Sequence, residues 1–212
     1  MLSDSYELYT TLEKLNLLEN SPPMWWPSYG TFEVVVGSIL TQNTQWSRVE
    51  VSLEHLRRAS LLSPDALSHA PHETLMELIR PSGLFKAKAS NLIRFSHRLI
   101  DEYGDFGTFA ENVDREWLLS QKGVGPETAD SILCYACARP VMVVDAYTAR
   151  LLKAYGYEFE SYDDLQEWCE AGMRNAFDET ELVTLFAHFH GMIVEYVKRN
   201  SKGKQVTTEA IG

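Results

Sequence analysis

The 212-residue chain has no apolar run that approaches the ~20 residues needed to cross a bilayer. Cysteine is scarce: three in all, an odd number that does not make a disulfide framework. The start, Met1-Leu2-Ser3-Asp4-Ser5-Tyr6-Glu7, lacks a basic segment followed by an apolar core, so no signal peptide is expected. A cytoplasmic monomer without a membrane partner is the simplest expectation. Long low-complexity linkers and internal repeats are also missing. What is present, 45% apolar residues, suffices for one sizeable globular unit or two small lobes.

Basic charge is in short supply as well, and the net charge of −11 argues against a nucleic-acid partner at face value. Its distribution weakens that exclusion. Between Glu158 and Glu181 nine acids face one base, Arg174, so this stretch carries −8 and leaves −3 for the rest. Basic residues collect elsewhere, at Lys86 and Lys88, at Lys122, and at Lys198, Arg199, Lys202 and Lys204. An acidic back and a mildly basic mouth would still bind phosphates.

Apolar residues recur at helical spacing in Phe32, Val35, Val36, Ile39 and Leu40, then in Leu75, Leu78 and Ile79, and again in Leu92, Ile93, Phe95, Leu99 and Ile100. Another helical period runs from Glu181 to Val197, and Asp163-Asp164-Leu165 reads as a helix start. The only β-like run is Pro140-Val141-Met142-Val143-Val144. The pattern predicts an all-α fold, with a loose tail over 201–212.

The informative segment is Trp117-Leu118-Leu119-Ser120-Gln121-Lys122-Gly123-Val124-Gly125-Pro126-Glu127-Thr128. A helix should end near Gln121, and Pro126 suits the first position of a second helix. Glycines leave the N–H groups of the turn unshielded, and the next helix adds its positive end, a geometry suited to a DNA phosphate. An isolated Gly-x-Gly turn is more often an ordinary glycine-capped corner. Here a short apolar run some twenty residues on delivers an acid, Val143-Val144-Asp145-Ala146. Asp145 reads as the N-cap of a new helix.

Hairpin, Val-Val-Asp and helix together resemble the helix-hairpin-helix DNA glycosylases, the superfamily of endonuclease III and the adenine glycosylases. Trp25-Trp26-Pro27, Leu40-Thr41-Gln42-Asn43-Thr44, Arg80-Pro81-Ser82-Gly83, Cys134-Tyr135-Ala136-Cys137-Ala138 and Phe189-His190-Gly191 are similar to the 3-methyladenine DNA glycosylase III subfamily. The resemblance implies a two-lobed fold with an interlobe cleft for a flipped base. A central helical barrel over 30–138 would carry the hairpin; 1–29 with 139–200 would form the second lobe and carry Asp145. The implied partner is double-stranded DNA containing a damaged base. The implied reaction is hydrolysis of the N-glycosidic bond of an alkylated purine in base excision repair, with Asp145 catalytic.

The resemblance implies further roles. Lys122, Gly123, Val124, Gly125, Glu127 and Thr128 would meet a phosphate, and a monovalent cation could sit at the hairpin. The target nucleotide must leave the stack at a cost of about a few kcal/mol, and Gln42 or Asn43 would fill the gap unless it only caps its turn. An alkylated purine is cationic, so indole faces would favour it by about 0.5–2 kcal/mol per contact. Trp25, Trp26, Pro27, Trp46, His190 and Lys198 are the pocket candidates, with one of the three tryptophans expected to be structural. Lys198 could equally be an exposed helix lysine.

Two departures matter. Bifunctional members carry a lysine nucleophile in the second hairpin helix, where this chain has Glu127, and a carboxylate cannot form an imine. A monofunctional enzyme is expected. The alkylpurine enzyme carries a lysine where this chain has Met192. No metal is expected: past Cys169 there are no cysteines for an iron–sulfur cluster, and His188 and His190, two apart on a helix, do not share a face. The rival readings are a glycosylase for mispaired adenine or a deaminated purine, an endonuclease III-like lyase, and a non-catalytic DNA-binding module.

Overall fold

A computed structural model of the chain describes residues 2–203 and 205–208, so the basic Lys204 lies outside the described residues. It divides into two compact units, Ser28–Ala138 and a second made of Met1–Pro27 with Arg139–Gly212. The all-α class holds, with one two-stranded exception described below.

The unit over 28–138 is built around α2 (Phe32–Leu40), in which every residue except Glu33 is buried. A helix apolar all round must be enclosed by others. Around it run α3 (Trp46–Arg58), α4 (Pro64–Ser68), α5 (His72–Leu78), α6 (Phe85–Tyr103), α7 (Phe106–Asn112), α8 (Arg115–Ser120) and α9 (Pro126–Ser131). The last continues into one π-helical turn, Ile132–Ala136, that packs on α2. In α6 the core-facing period runs through Leu92, Phe95 and Leu99, and it begins with a lysine, Lys88. Lys88 is 3% exposed and therefore does not belong to the basic surface that its charge would suggest.

The other unit packs α1 (Ser5–Glu13), α10 (Ala146–Ala154), α11 (Tyr162–Ala176) and α12 (Glu179–Arg199) around Leu8, Leu12, Leu151, Cys169, Phe186, Phe189, Ile193 and Tyr196. The β-like run 140–144 forms no strand, although Met142, Val143 and Val144 are fully buried. Side chains of α11 serve its backbone instead: Met142 N–H donates to Glu170 at 2.9 Å, and the Gln166 amide donates to the Met142 carbonyl at 2.6 Å. Arg174 donates to the Pro140 carbonyl at 2.8 Å. Part of the acidic stretch therefore has an internal task, holding the segment that delivers Asp145.

Within the tail expected to be loose, the described residues Ser201–Lys202 and Gln205–Val206 form strands. β1 (Ser201–Lys202) pairs antiparallel with β2 (Gln205–Val206), Val206 packs on the core of this unit, and Tyr196 Oη donates to the Thr207 carbonyl at 2.8 Å. Among the described residues no helix is long and apolar enough to cross a membrane.

Candidate active site

Asp145 is the N-cap of α10, and its two oxygens have separate duties. Oδ1 accepts from the backbone N–H of Tyr147 (2.8 Å), from that of Thr148 (2.9 Å) and from the Thr148 hydroxyl (3.1 Å). Asp145 N–H donates back to Thr148 Oγ1 at 3.3 Å, which closes a capping box. Oδ2 faces His190 Nε2 of α12 at 3.6 Å. Burial pushes the Asp145 carboxyl up, but the His190 contact and charge, with the Thr148 donors, outweigh it. The carboxyl therefore stands below its usual range and is ionised at neutral pH.

α12 also builds the aromatic wall. The His190 ring lies edge-on to Trp25 at 5.0 Å between centroids, and Trp25 stands edge-on to Trp26 at 6.0 Å. His188, two residues earlier on the same helix, bonds the Pro23 carbonyl at 2.7 Å and so anchors the turn that presents Trp25. That turn forces Trp25 to φ +65°, a left-handed conformation that is costly for a tryptophan. Gly191 makes the approach feasible: a Cβ there would lie 2.4 Å from Trp25 Cγ. Trp26 is buried, whereas Trp25 and Pro27 are partly exposed. Lys198 is not brought to this group. It lies eight residues beyond His190 on α12, roughly 12 Å along the axis, and is exposed and paired with Glu195 at 3.1 Å. Met192 is buried in the core of the unit.

In the other unit the hairpin forms as the glycines and Pro126 predict. α8 ends at Ser120, α9 begins at Pro126, and Val124 N–H bonds the Gln121 carbonyl at 3.1 Å. Arg115 clamps the two helices through both oxygens of the buried Asp130, at 2.8 and 3.1 Å. Lys122 and Glu127 are exposed, while Val124 and Thr128 are buried. The two glycines differ in need. Gly123 sits at φ +84° with a Cβ position 2.2 Å from Asn91 Nδ2; at Gly125 nothing lies within 4 Å. Gly123→Ala is expected to cost about 1–2 kcal/mol in a denaturant titration, and Gly125→Ala less.

The turn after α2 is tied to this hairpin. Gln42 Nε2 donates to the Gly123 carbonyl at 2.7 Å and to Thr128 Oγ1 at 2.9 Å. Its amide is thus engaged, and the exposed tip of the turn is Asn43, at φ +53°. Trp46 stands partly exposed at the first position of α3. The sequence reading passed over Leu84, which is 64% exposed and left-handed (φ +47°) just before α6. An apolar residue placed directly after Pro-Ser-Gly, outside the helical period, was the available signal. Cys134, Cys137 and Cys169 are buried thiols, and among the described residues no three His, Cys, Asp or Glu side chains gather as a metal site.

Residues 36–172 match the HhH-GPD superfamily of base excision DNA repair proteins. The chain belongs to this superfamily and is a DNA glycosylase of base excision repair. It is 40% identical to a Helicobacter pylori 3-methyladenine DNA glycosylase (MagIII) solved bound to 1,N6-ethenoadenine, with a TM-score of 0.89 over 94% of this chain and 99% of that one. A Methanocaldococcus jannaschii protein named "Putative DNA repair glycosylase" is 35% identical over 96% of this chain and 93% of its own length. A trapped endonuclease III–DNA covalent intermediate shares the fold at 20% identity, with a TM-score of 0.75 over 99% of this chain and 92% of that one.

Proposed function

We propose that this glycosylase is monofunctional and removes alkylated purines of the 3-methyladenine type from double-stranded DNA, leaving an abasic site. The observation that carries the reading is the Trp25–His190–Asp145 series: a partly exposed indole and an ionised carboxylate are held by one histidine of α12. The indole face favours a cationic purine over a neutral one. Alkylation at N3 or N7 has already weakened the glycosidic bond, so no strong acid is needed to drive the base off. Asp145 Oδ2, free of the capping duty, serves the sugar: it takes a proton from the attacking water or balances the positive charge of the oxocarbenium-like transition state. Similarity to the H. pylori enzyme supports the same base class.

The hairpin supports binding to a DNA phosphate without reading sequence, with Lys122 as its exposed cation. Asn43 and Leu84, one polar and one apolar, are the exposed side chains suited to replace the extruded nucleotide in the stack. The strand is left uncut because Glu127 occupies the place of the imine-forming lysine. Incubation with an abasic duplex and borohydride is the test of that last point. No covalent protein–DNA adduct is expected, and an adduct that forms with the wild-type protein would show lyase chemistry from another amine. In parallel, an oligonucleotide with 3-methyladenine should lose its base far faster than one with mispaired adenine or hypoxanthine. Equal or reversed rates would overturn the assigned base class.

A further inference from the structure

Lys88 stands where the helical period of α6 calls for an apolar residue. Its ammonium donates to three oxygens: the Leu40 carbonyl (2.7 Å), the Ser82 carbonyl (2.7 Å) and Thr44 Oγ1 (2.8 Å). An ammonium has three protons, so its donor capacity is filled. The first two acceptors are chemically alike. Leu40 ends α2, and Ser82 ends the single 3-10 turn Arg80–Ser82, so each carbonyl belongs to a helix end without an internal partner. Lys88 caps both at once, and the positive charge suits both dipoles. Thr44 closes the triangle by donating to the same Ser82 carbonyl.

Burying a lysine is costly, and a leucine or methionine would fill this place in the core without that cost. Burial pushes the ammonium down to about 8. What the lysine does that an apolar side chain cannot is join two loops that are 38 residues apart, Thr44 to Ser82. One loop ends in the exposed Asn43 and the other in the exposed Leu84, both left-handed. The first loop is in turn bound to the phosphate hairpin through Gln42.

We propose that Lys88 is a positioning residue for nucleotide extrusion, joining the 40–44 turn and the 82–84 loop into one rigid edge that enters the DNA stack. The proposal rests on the reading of this chain as a glycosylase that extrudes its target. It concerns the opening of the duplex and not the cleavage of the bond.

The test compares Lys88→Met with the wild type on one lesion in two settings, fully paired and within an unpaired bubble. A rate loss of about tenfold or more is expected on the paired duplex, since small misplacements of positioning groups cost up to about 10²-fold. Little loss is expected in the bubble, where the duplex is already open. Equal losses in both settings, or none in either, would overturn the role. If Lys88→Met does not fold, Thr44→Val decides: it removes one acceptor and the Ser82 donor but keeps the lysine and both carbonyls, and a smaller loss confined to the paired duplex is expected. If the wild type releases no base from either substrate, the substrate reading has failed. Extrusion then remains measurable by the fluorescence of 2-aminopurine at the target position. Lys88→Met should reduce the signal in a paired duplex, and an unchanged signal would overturn the proposal.

Discussion

Asp145→Asn is expected to lower base release by about 10²–10⁴-fold while costing less stability than Asp145→Ala, since it loses the charge but keeps the cap. The division of labour between the two carboxylate oxygens gives this separation. An asparagine retains a side-chain oxygen at the position of Oδ1, so the Tyr147 and Thr148 donors keep their acceptor and α10 keeps its cap. What it loses is the negative charge facing His190 at 3.6 Å, the charge proposed to serve the attacking water and the sugar. Asp145→Ala removes both functions and should add a stability loss of about 1 kcal/mol. Single-turnover base release together with denaturant titration separates the two. An asparagine variant with near wild-type rate would remove Asp145 from the chemistry and leave it as a cap alone.

The pH dependence has a definite sign. The Asp145 carboxyl is depressed below its usual value, so the group binds fewer protons in the folded chain than in the unfolded one. Its stabilising contribution is present above the usual carboxylate range and is lost as pH falls through the lower folded value. Activity should therefore show no acid limb from Asp145 between about pH 5 and 8. Asp145→Asn should lower the profile across that window without adding or removing an acid limb.

Gly191→Ala is expected to be the second most damaging change, although it adds only one methyl group. The new Cβ would lie 2.4 Å from Trp25 Cγ and 2.8 Å from both Cβ and Cδ1. Trp25 Cβ is fixed by the backbone, so a change of rotamer moves Cγ and Cδ1 but does not relieve the whole contact. The backbone of the tryptophan is held as well, by Trp25 N–H on the Pro22 carbonyl at 2.7 Å and by His188 on Pro23. Overpacking at such a contact costs about 1–3 kcal/mol. Loss of a well-placed indole face should lower kcat/KM for a cationic base by about 2- to 30-fold, and the effect on a neutral base such as hypoxanthine should be smaller. The variant should therefore lose discrimination more than it loses the reaction. Unchanged discrimination would mean that Trp25 is not the face that selects the base.

The parts of the site that depend on local chain grammar were legible without coordinates. Gly123 and Pro126 specify the hairpin, the first through a left-handed backbone and the second as the opening residue of α9, and the Asp145-Ala146-Tyr147-Thr148 run specifies a capped helix. Helices α2, α6 and α12 follow from period alone. What was hidden depends on partners distant in sequence. The 140–144 run has the composition of a strand, but its backbone bonds go to Glu170, Gln166 and Arg174 on α11, which periodicity assigns only to a solvated acidic face. His190 is a pocket candidate by resemblance, while its contact with Asp145, some 45 residues earlier, has no sequence signature. Lys88 was read as surface charge because lysines usually are exposed. Its register with Leu92, Phe95 and Leu99 carried the opposite message. The pairing of Ser201–Lys202 with Gln205–Val206 escaped because, among the described residues of these strands, Val206 alone is an apolar anchor.

The proposed reaction is hydrolysis of the bond to an alkylated purine, with the strand left intact. Duplex DNA treated with a methylating agent, incubated with the protein and resolved by chromatography, tests both halves at once. Free 3-methyladenine or 7-methylguanine is expected in the supernatant, with strands that remain intact until alkali cleaves them at the new abasic sites. Release of neither methylated purine, or strands already cut before alkali, would contradict it.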